Sequence, residues 1–180
     1  FKARLLVPLM VLGCVVVAVA GFFIINHSKN QARDAAIEVG ERLSLQTKAV
    51  RGYYTKNVVG PAKASGMNPS HDYAKLDNSI PLPATMVHDL SKDLSSREGD
   101  SFAMRLYSPY PFPWRKDGGA QDEFEQEALK YLAANPTSEF WRMEKYHGVM
   151  SMRYATADLM VSEGCVTCHN SHPHTPQNDG

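Results

Sequence analysis

The most distinctive chemistry of this chain lies near its end, where two cysteines three positions apart are followed directly by a histidine. Cys165, Cys168 and His169 form the pattern C-x-x-C-H. Two thiols at this spacing can form thioethers to the two vinyl groups of one porphyrin, and the adjoining imidazole can bind the iron as an axial ligand. The pattern therefore predicts one covalently attached haem c.

The same pair of thiols admits other chemistry. Cys165 and Cys168 could bind zinc with His172 or His174, since two thiolates and two imidazoles complete a tetrahedral site. They could also form a redox-active disulfide or remain ordinary thiols. We favour haem, because the pattern is complete and because the N-terminal segment predicts an oxidising compartment.

An uncharged apolar segment over residues 5–25 is long enough, as a helix, to cross about 30 Å of hydrocarbon. Lys2 and Arg4 precede it, which favours a cytoplasmic N-terminus and a soluble domain on the periplasmic side of the inner membrane. Residues 18–20 (Ala-Val-Ala) also fit a signal-peptidase site, so a cleaved signal is the alternative. Cys14, inside the segment, is explained as a small apolar residue.

Composition excludes several classes of function. The 19 Lys and Arg residues balance the 19 Asp and Glu residues, so the net charge does not point to nucleic acid. No paired carboxylates, nucleophile triad or phosphate-binding loop indicates an enzyme. About 150 residues follow the apolar segment, the size of one domain. Because the sequence begins with Phe1, we expect the natural N-terminus to be processed or to lie upstream.

A connecting helix is predicted between the apolar segment and the dipeptide Gly60-Pro61, which ends it. Ala36, Leu43 and Val50 recur every seven residues in a weak heptad pattern. The pattern predicts an amphipathic helix that packs on its own domain. The alternative is a dimer stalk that transmits motion through the membrane.

The remaining elements alternate between helical and strand patterns and end at the haem motif. First come a polar connection over residues 66–80 and a helix opened by Pro81 and Pro83 and closed by Gly99. A strand over 101–108 and an aromatic loop over 109–119 follow, and then a helix from the capping box Asp122/Glu125 to Asn135. The last elements are a hairpin of residues 140–146 and 149–155 turning at His147-Gly148, and a short helix over 156–163. The residues expected to face the core of the two helices are Val87, Leu90 and Leu94, then Phe124, Ala128, Tyr131 and Leu132. This order predicts an α+β domain with helices on one face of an antiparallel sheet.

Several blocks of the sequence resemble one protein family. They are RGYYTKNVV (51–59), IPLPATMVHDLS (80–91), LYSPYPFPWR (106–115), DEFEQEAL (122–129) and MRYATADLMVSEGCVTCHNSHPHTP (152–176). In this order they resemble the Tll-type PAS-like periplasmic c-haem domain, over about residues 30–178. That domain often forms the sensor part of membrane-anchored kinases and chemoreceptors. The resemblance implies a PAS-like antiparallel sheet with flanking helices, and it assigns Cys165 and Cys168 to haem attachment and His169 to proximal ligation.

We therefore divide the chain into a membrane anchor over residues 1–27, a connecting helix over 28–60, and a PAS-like c-haem domain over 61–180 that packs with the connecting helix. The chain departs from the family in two respects. Members continue into another strand where this chain stops at Gly180, so we expect a truncated chain or a sheet one strand short. The thiolate second ligand associated with the family is excluded here, because no cysteine outside the apolar segment remains besides the haem pair.

The second axial ligand is then expected to be a His or a Met, unless the position stays open. His71 is our first choice, because its polar connection can be shaped around a haem crevice. His88 is the second, although it falls on the polar side of its predicted helix. Weaker candidates are His147, His172, His174, Met104, Met150 and Met152.

Three arginines are candidates for binding the haem propionates, because a guanidinium pairs bidentately with a carboxylate. Arg115 and Arg153 are preferred to Arg105, since both lie in blocks that resemble the family. The aromatic residues expected to wall the porphyrin are Tyr53, Tyr54, Tyr107, Phe112 and Trp114.

Two functions fit these expectations. One is a membrane-anchored periplasmic monohaem c-type cytochrome that transfers electrons, alone or as a subunit of a membrane redox complex. The other is a haem-based redox or gas sensor of a signalling receptor. A sensor needs an output module, and few residues flank the anchor and the haem motif in this sequence, so we favour the electron carrier. Its expected partners are the membrane, a redox protein or complex, and a second copy through the connecting helix.

Overall fold

A computed structural model describes residues 2–98, 102–160 and 163–171, without the side chains of residues 2–7, 98, 164 and 168. The chain forms two compact units, Phe1–Val39 and Gly40–Gly180. The described residues contain helices and two small sheets, one parallel and one antiparallel, each of two strands. The predicted mixture of helix and strand is confirmed, whereas a larger PAS-like sheet is not confirmed in these residues.

The long N-terminal helix, α1, extends over Lys2–Tyr54 and belongs to both units. In the first unit its apolar side chains face outwards, and Leu12, Val16 and Phe23 are 63, 59 and 66% exposed. Its most apolar window of 18 residues has a mean hydropathy of 2.7 and is not buried. The helix is therefore long and apolar enough to cross a membrane. A cleaved signal segment has the same composition, so that alternative stays open.

The prediction that Gly60 and Pro61 end the connecting helix was wrong. The chain continues through a π-helical turn, Thr55–Val59, into a short helix, α2, over Gly60–Ala64. Pro61 is tolerated because it lies in the first turn of α2, where no helical acceptor requires its missing N–H. The helical path ends at Gly66, whose φ of 90° belongs to a Schellman motif.

Residues 66–80, predicted as a polar connection, contain two short parallel strands. β1 is Asn68–Ser70 and β2 is Ser79–Pro81. A 3₁₀ turn over Tyr73–Lys75 lies between them, two residues after His71. Strands of three residues are too short to show alternating hydrophobicity, which explains why sequence patterns missed them.

The next helix, α3, spans Pro83–Glu98 and begins where predicted. Gly99, which was predicted to end it, lies outside the described residues. Its buried face is defined by Val87 and Ser91, which are 2% and 6% exposed. Leu90 was expected on this face but is 41% exposed, so the predicted apolar stripe was wrong at this position. The buried face of α3 therefore lies closer to His88 than predicted, and the His88 side chain is half-buried.

The predicted strand over residues 101–108 was wrong for its described part, residues 102–108, which is irregular. Two serine side chains of α3 form the hydrogen bonds to this segment that a neighbouring strand would otherwise form. The Ser91 hydroxyl accepts from the N–H of Met104 at 3.0 Å and donates to the Met104 carbonyl at 2.7 Å. Ser95 donates to the Phe102 carbonyl at 2.9 Å. These bonds satisfy backbone groups that a strand ladder would otherwise satisfy.

Helix α4 spans Glu123–Ala134, and the predicted cap is confirmed: Asp122 accepts a 3.0 Å hydrogen bond from the N–H of Glu125. The main buried cluster consists of Phe124, Ala128 and Leu132, packed against Phe140, Ala155 and Ala157. Tyr131 was expected in this core but is 42% exposed, so that prediction was wrong.

The predicted hairpin is confirmed. β3, Glu139–Tyr146, pairs antiparallel with β4, Val149–Thr156. His147 and Gly148 form the turn with φ values of 48° and 84°. Positive φ at both central residues suits the right-handed twist of the strands, which explains the glycine in the second position.

Ion pairs join α4 to the hairpin and to the segment before it. Arg153 binds Asp122 at 2.7 Å and Glu144 at 3.0 Å, and its guanidinium lies 4.3 Å from the centre of the Phe124 ring. Arg105 binds the almost fully buried carboxylate of Glu125 at 2.9 Å. The start of α4 is thus connected to two other elements by charge.

The last described helix, α5, spans Glu163–Ser171 and contains the C-x-x-C-H motif. The prediction of a short helix over residues 156–163 that leads into the motif was wrong for residues 156–160. Residue 156 ends β4 and residues 157–160 are irregular, whereas residues 161 and 162 lie outside the described residues. The motif therefore lies within a helix rather than after one.

Replacing Glu125 by Ala is expected to lower the free energy of unfolding by about 3 kcal/mol, because Arg105 loses a buried carboxylate partner. Glu127→Ala is the matched control, since Glu127 pairs with Arg142 on the exposed side of the same helix and is expected to cost less than about 1 kcal/mol. Urea unfolding of the full chain in detergent, followed by circular dichroism, measures both. Equal losses would contradict the role assigned to Glu125.

Candidate functional site

The helical register of α5 places the residues of the motif on one face. Cys168 and His169 follow Cys165 by three and four residues, and residues at these spacings are neighbours on a helix surface. Cys165 and His169 are both half-buried. Two cysteines and a histidine at these spacings of one helix are the residue types that covalent haem requires, so the residues present fit this group.

Aromatic rings of the loop over residues 109–119 lie next to this face. The Phe112 ring meets the His169 ring edge-on, with 5.2 Å between ring centres. Phe112 stacks on Trp114 at 4.6 Å, and Trp114 stacks on His71 at 4.7 Å. The loop thus brings His169 and His71 into one series of contacting rings.

Close backbone packing fixes the shape of this loop. The N–H of Arg115 donates to the Phe112 carbonyl at 2.8 Å, and the N–H of Gly118 donates to the Arg115 carbonyl at 2.9 Å. Gly118 is buried, and a Cβ at this position would lie 2.7 Å from the Cβ of Pro111. Only glycine fits there without a shift of Pro111, so this tight contact holds the aromatic residues in position.

His71, the first choice for the second axial ligand, contacts Trp114 rather than His169. Its side chain is 36% exposed, and its Nε2 lies 3.6 Å from an oxygen of Asp72. An iron bound by both imidazoles would lie directly between them. Ligation by His71 therefore requires a different arrangement of Trp114 and Phe112, and it stays a prediction.

His88, the second choice, is bonded to an arginine of the aromatic loop. The guanidinium of Arg115 donates to Nε2 of His88. Burial, followed by the charges of Arg115 and Arg105, lowers the pKa of His88 to about 4, against an opposing effect of Asp89. The ring is therefore neutral at physiological pH. Burial also lowers the pKa of Arg115.

The three arginines considered for the haem propionates have different surroundings. Arg153 is bonded to Asp122 and Glu144, and Arg105 is bonded to Glu125. Arg115 forms no ion pair with a carboxylate within the described part of the chain. Arg115 also lies in the loop that contacts His169, so it is the arginine best placed to receive an additional anion.

Tyr107 carries the one buried side-chain polar atom for which the described residues supply no hydrogen-bond partner. Burial raises the pKa of its hydroxyl to about 12, and the charge of Glu125 acts in the same direction. An unpaired buried hydroxyl costs about 1–3 kcal/mol. A polar group from outside the protein, such as a propionate or a water, would satisfy it.

The C-terminal part of α1 is bonded to the last residue of β4 and to the two residues that follow it. Ser44 and Thr156 share a 2.7 Å hydrogen bond, and Lys48 donates to the Ala157 carbonyl at 2.7 Å. Arg51 forms a bidentate ion pair with Asp158. The three residues of α1 are four and three positions apart, so they lie on one face of the helix. Along this face they bond to three consecutive residues, 156, 157 and 158.

The remaining ligand candidates lie in several places. The sulfur of Met104 accepts a hydrogen bond from Thr47 at 3.1 Å. Met150 is 60% exposed, Met152 is half-buried, and His147 lies in the hairpin turn. His172 and His174, which the zinc alternative requires, lie outside the described residues. Within those residues no group of three His, Cys, Asp or Glu side chains could hold a metal ion.

Comparison with known families agrees with this arrangement. The model of the Tll0287-like family matches residues 29–180. The chain belongs to the Tll0287-like family. The match includes the aromatic loop and α5, so the resemblance seen in the sequence blocks is confirmed. Neither a curated protein nor a solved structure matches this chain.

Two features of this Tll0287-like domain were missed from the sequence. One is the contact of His88 with Arg115, and the other is the bonding of α1 to residues 156–158. For the first, a signal was present: Val87 and Ser91 are one turn apart, and a buried face centred on both also includes His88. For the second we find no local signal, because the partners are more than 100 residues apart.

The fold is expected to lose stability through His88 as the pH falls from about 6.5 towards about 4. In this window the unfolded chain binds a proton at His88 that the folded chain does not bind. The stabilisation is therefore complete above the unfolded pKa and decreases below it. His88→Gln should flatten this part of the profile, whereas His147→Gln, in the exposed turn, should not. Urea unfolding at a series of pH values measures the slopes, and identical slopes for wild type and His88→Gln would contradict the assignment.

Proposed function

We propose that this Tll0287-like chain is a membrane-anchored periplasmic monohaem c-type cytochrome that transfers electrons, alone or as a subunit of a membrane redox complex. The observation that carries the proposal is that Cys165, Cys168 and His169 lie within one turn of the described helix α5. In this proposal one haem c is attached to the two cysteines, and His169 is the proximal ligand. The hairpin of β3 and β4 would form part of the PAS-like sheet of the family.

Bound haem would supply one-electron exchange between ferrous and ferric iron. The protein residues would hold and shield it. In the arrangement described, the rings of Phe112 and Trp114 supply apolar surface beside His169 that would exclude water from it. Ligation by His71 would require both rings to move from between the two imidazoles. Arg115 would bind a propionate, because it lies in the same loop and forms no ion pair with a described carboxylate.

The membrane part of the proposal is supported by α1. Its exposed apolar N-terminal half suits lipid, and Lys2 and Arg4 favour a cytoplasmic N-terminus. The soluble domain would then lie in the periplasm, which is the compartment where bacteria attach haem c. Val50 and Tyr53 are 51% and 68% exposed, which supports a second copy as a partner through the connecting helix.

Haem is expected to remain bound to the denatured full chain purified in detergent from the membrane fraction. The pyridine haemochrome spectrum should be of the type given by two thioethers, and Cys168→Ala should give a single-thioether spectrum or no mature protein. Cys14→Ser is the control, because Cys14 lies in the apolar part of α1 and should leave the spectrum unchanged. Haem extracted from the wild type by acid–acetone would contradict covalent attachment.

We retain His71 as the proposed second ligand. A protein imidazole on both sides of the iron limits rearrangement during electron transfer and denies the metal to oxygen. His71→Ala is expected to convert the ferric spectrum towards high spin and to open a site for carbon monoxide in the ferrous state. His147→Ala is the control for loss of a surface histidine. An unchanged low-spin spectrum in His71→Ala would exclude His71 as the ligand.

The second candidate function is a haem-based redox or gas sensor. It is favoured by the bonds from Ser44, Lys48 and Arg51 of α1 to residues 156–158. That segment leads to α5, so a movement of the haem helix could reach the connecting helix through contiguous contacts. Such contiguity supplies a physical route for coupling.

If the chain is a sensor, hydrogen exchange over residues 40–54 is expected to differ between the oxidised and reduced protein by about fivefold or more. Arg51→Ala should abolish this difference, because it removes the ion pair with Asp158. Arg33→Ala is the matched control on the same helix, since Arg33 pairs with the adjacent Asp34. Equal exchange in the two redox states of the wild type would favour the electron carrier.

A further inference from the structure

The contact with Arg115 determines which ring nitrogen of His88 carries the proton. Arginine carries only N–H donors, so Nε2 of His88 must accept the hydrogen bond from the guanidinium. A neutral imidazole has one N–H and one lone pair, and the N–H is then on Nδ1. In this arrangement neither nitrogen has a lone pair available for an iron, although His88 was the second choice for the axial ligand in the sequence analysis.

Arg115 is charged, half-buried and held by a neutral partner. Its guanidinium contacts His88 instead of a carboxylate. The nearby carboxylate of Asp89 accepts a 3.0 Å hydrogen bond from Tyr73 and lies on an exposed position. The charge of Asp89 favours the charged form of Arg115 but forms no ion pair with it, so an anion bound directly to the guanidinium would offset more of the cost of its burial.

Other charges and polar groups near this position also favour an anion. The charge of Arg105 lowers the pKa of both His88 and Arg115, so the two arginines act on the same region. Tyr107, two residues after Arg105, has a buried hydroxyl with no partner among the described residues. Arg105 is already paired with Glu125, so Arg115 is the guanidinium left for a carboxylate. The charge of Arg105 also acts on Tyr107, whose unpaired hydroxyl is a further donor in this region.

From this geometry we propose that His88 is a positioning residue, which holds Arg115 in the orientation that binds a haem propionate, and that His88 is not an iron ligand. This inference rests on the proposed function, because the anion belongs to the haem. In this proposal the contact between His88 and Arg115 positions the propionate side of the haem. The motif in α5 holds the haem through its thioethers.

The midpoint potential of the haem, measured by spectroelectrochemical titration of the full chain in detergent, tests this role. Arg115→Gln is expected to lower the potential, because an uncompensated propionate charge favours ferric iron. His88→Leu should lower it in the same direction, since Arg115 loses its acceptor. His88→Gln should restore the wild-type value, because the amide oxygen accepts the same hydrogen bond. The double variant of His88→Leu with Arg115→Gln should be no lower than Arg115→Gln alone.

Arg97→Gln is the control, because Arg97 pairs with Asp93 on the exposed side of α3 and should leave the potential unchanged. The ferric spin state separates positioning from ligation. It should be the same in wild type, His88→Leu and His88→Gln, whereas a shift towards high spin in both variants would identify His88 as a ligand and overturn the proposal. The spectrum of His88→Gln decides this even if His88→Leu does not fold.

The proposal and the proposed function can fail separately. A haem-containing chain whose potential is unchanged by Arg115→Gln and His88→Leu would overturn this proposal alone. A chain that gives no pyridine haemochrome spectrum would overturn the proposed function, and the inference with it. A lower potential in Arg115→Gln together with an unchanged one in His88→Leu would leave Arg115 as the propionate residue and exclude a role for His88.

Discussion

The charges at the start of α4 are the interaction on which the rest of the domain depends. Asp122 both caps the helix and binds Arg153, so one carboxylate determines where α4 begins and where the hairpin lies. Glu125 binds Arg105, whose guanidinium also donates to the Gly119 carbonyl at 2.8 Å, at the end of the aromatic loop. A buried charge that loses its partner is costly, so helix, hairpin and loop must keep their mutual arrangement.

Much of the fold could be predicted where a local signal specifies local structure. The capping box at Asp122, the His147-Gly148 turn and the proline at the start of α3 each act within a few residues, and each was found. Failures occurred where a side chain from elsewhere satisfies the backbone. The segment 102–108 alternates like a strand, but its polar groups are bonded to serines of α3. The predicted apolar stripe of that helix did not include the polar residue Ser91, and this shifted the predicted buried face away from His88.

The site was predictable to a similar extent. The attachment motif can be recognised from its spacing alone, since three residues in one helical turn form it. The groups around it come from a loop more than 40 residues earlier in the chain, and no periodicity relates Phe112 to His169. An electron carrier and a sensor would make different use of this architecture. The first benefits from rings and arginines that stay fixed when the charge of the iron changes, whereas the second needs that change to move α5 relative to α1.

The π-helical turn at Thr55–Val59 has a consequence for the phase of the helical path. Hydrogen bonds in a π-helix span one residue more than in an α-helix, so the turn accommodates an additional residue, equivalent to about 100° of rotation. The side chains of α2 are therefore rotated about the helix axis, by this angle, from the positions that they would have if α1 continued as a regular α-helix. Before the turn, Tyr54 donates to the Pro81 carbonyl at 2.9 Å, and after it α2 leads directly into β1. Deleting one residue here would make the helix regular but would rotate one of these contacts away from its partner.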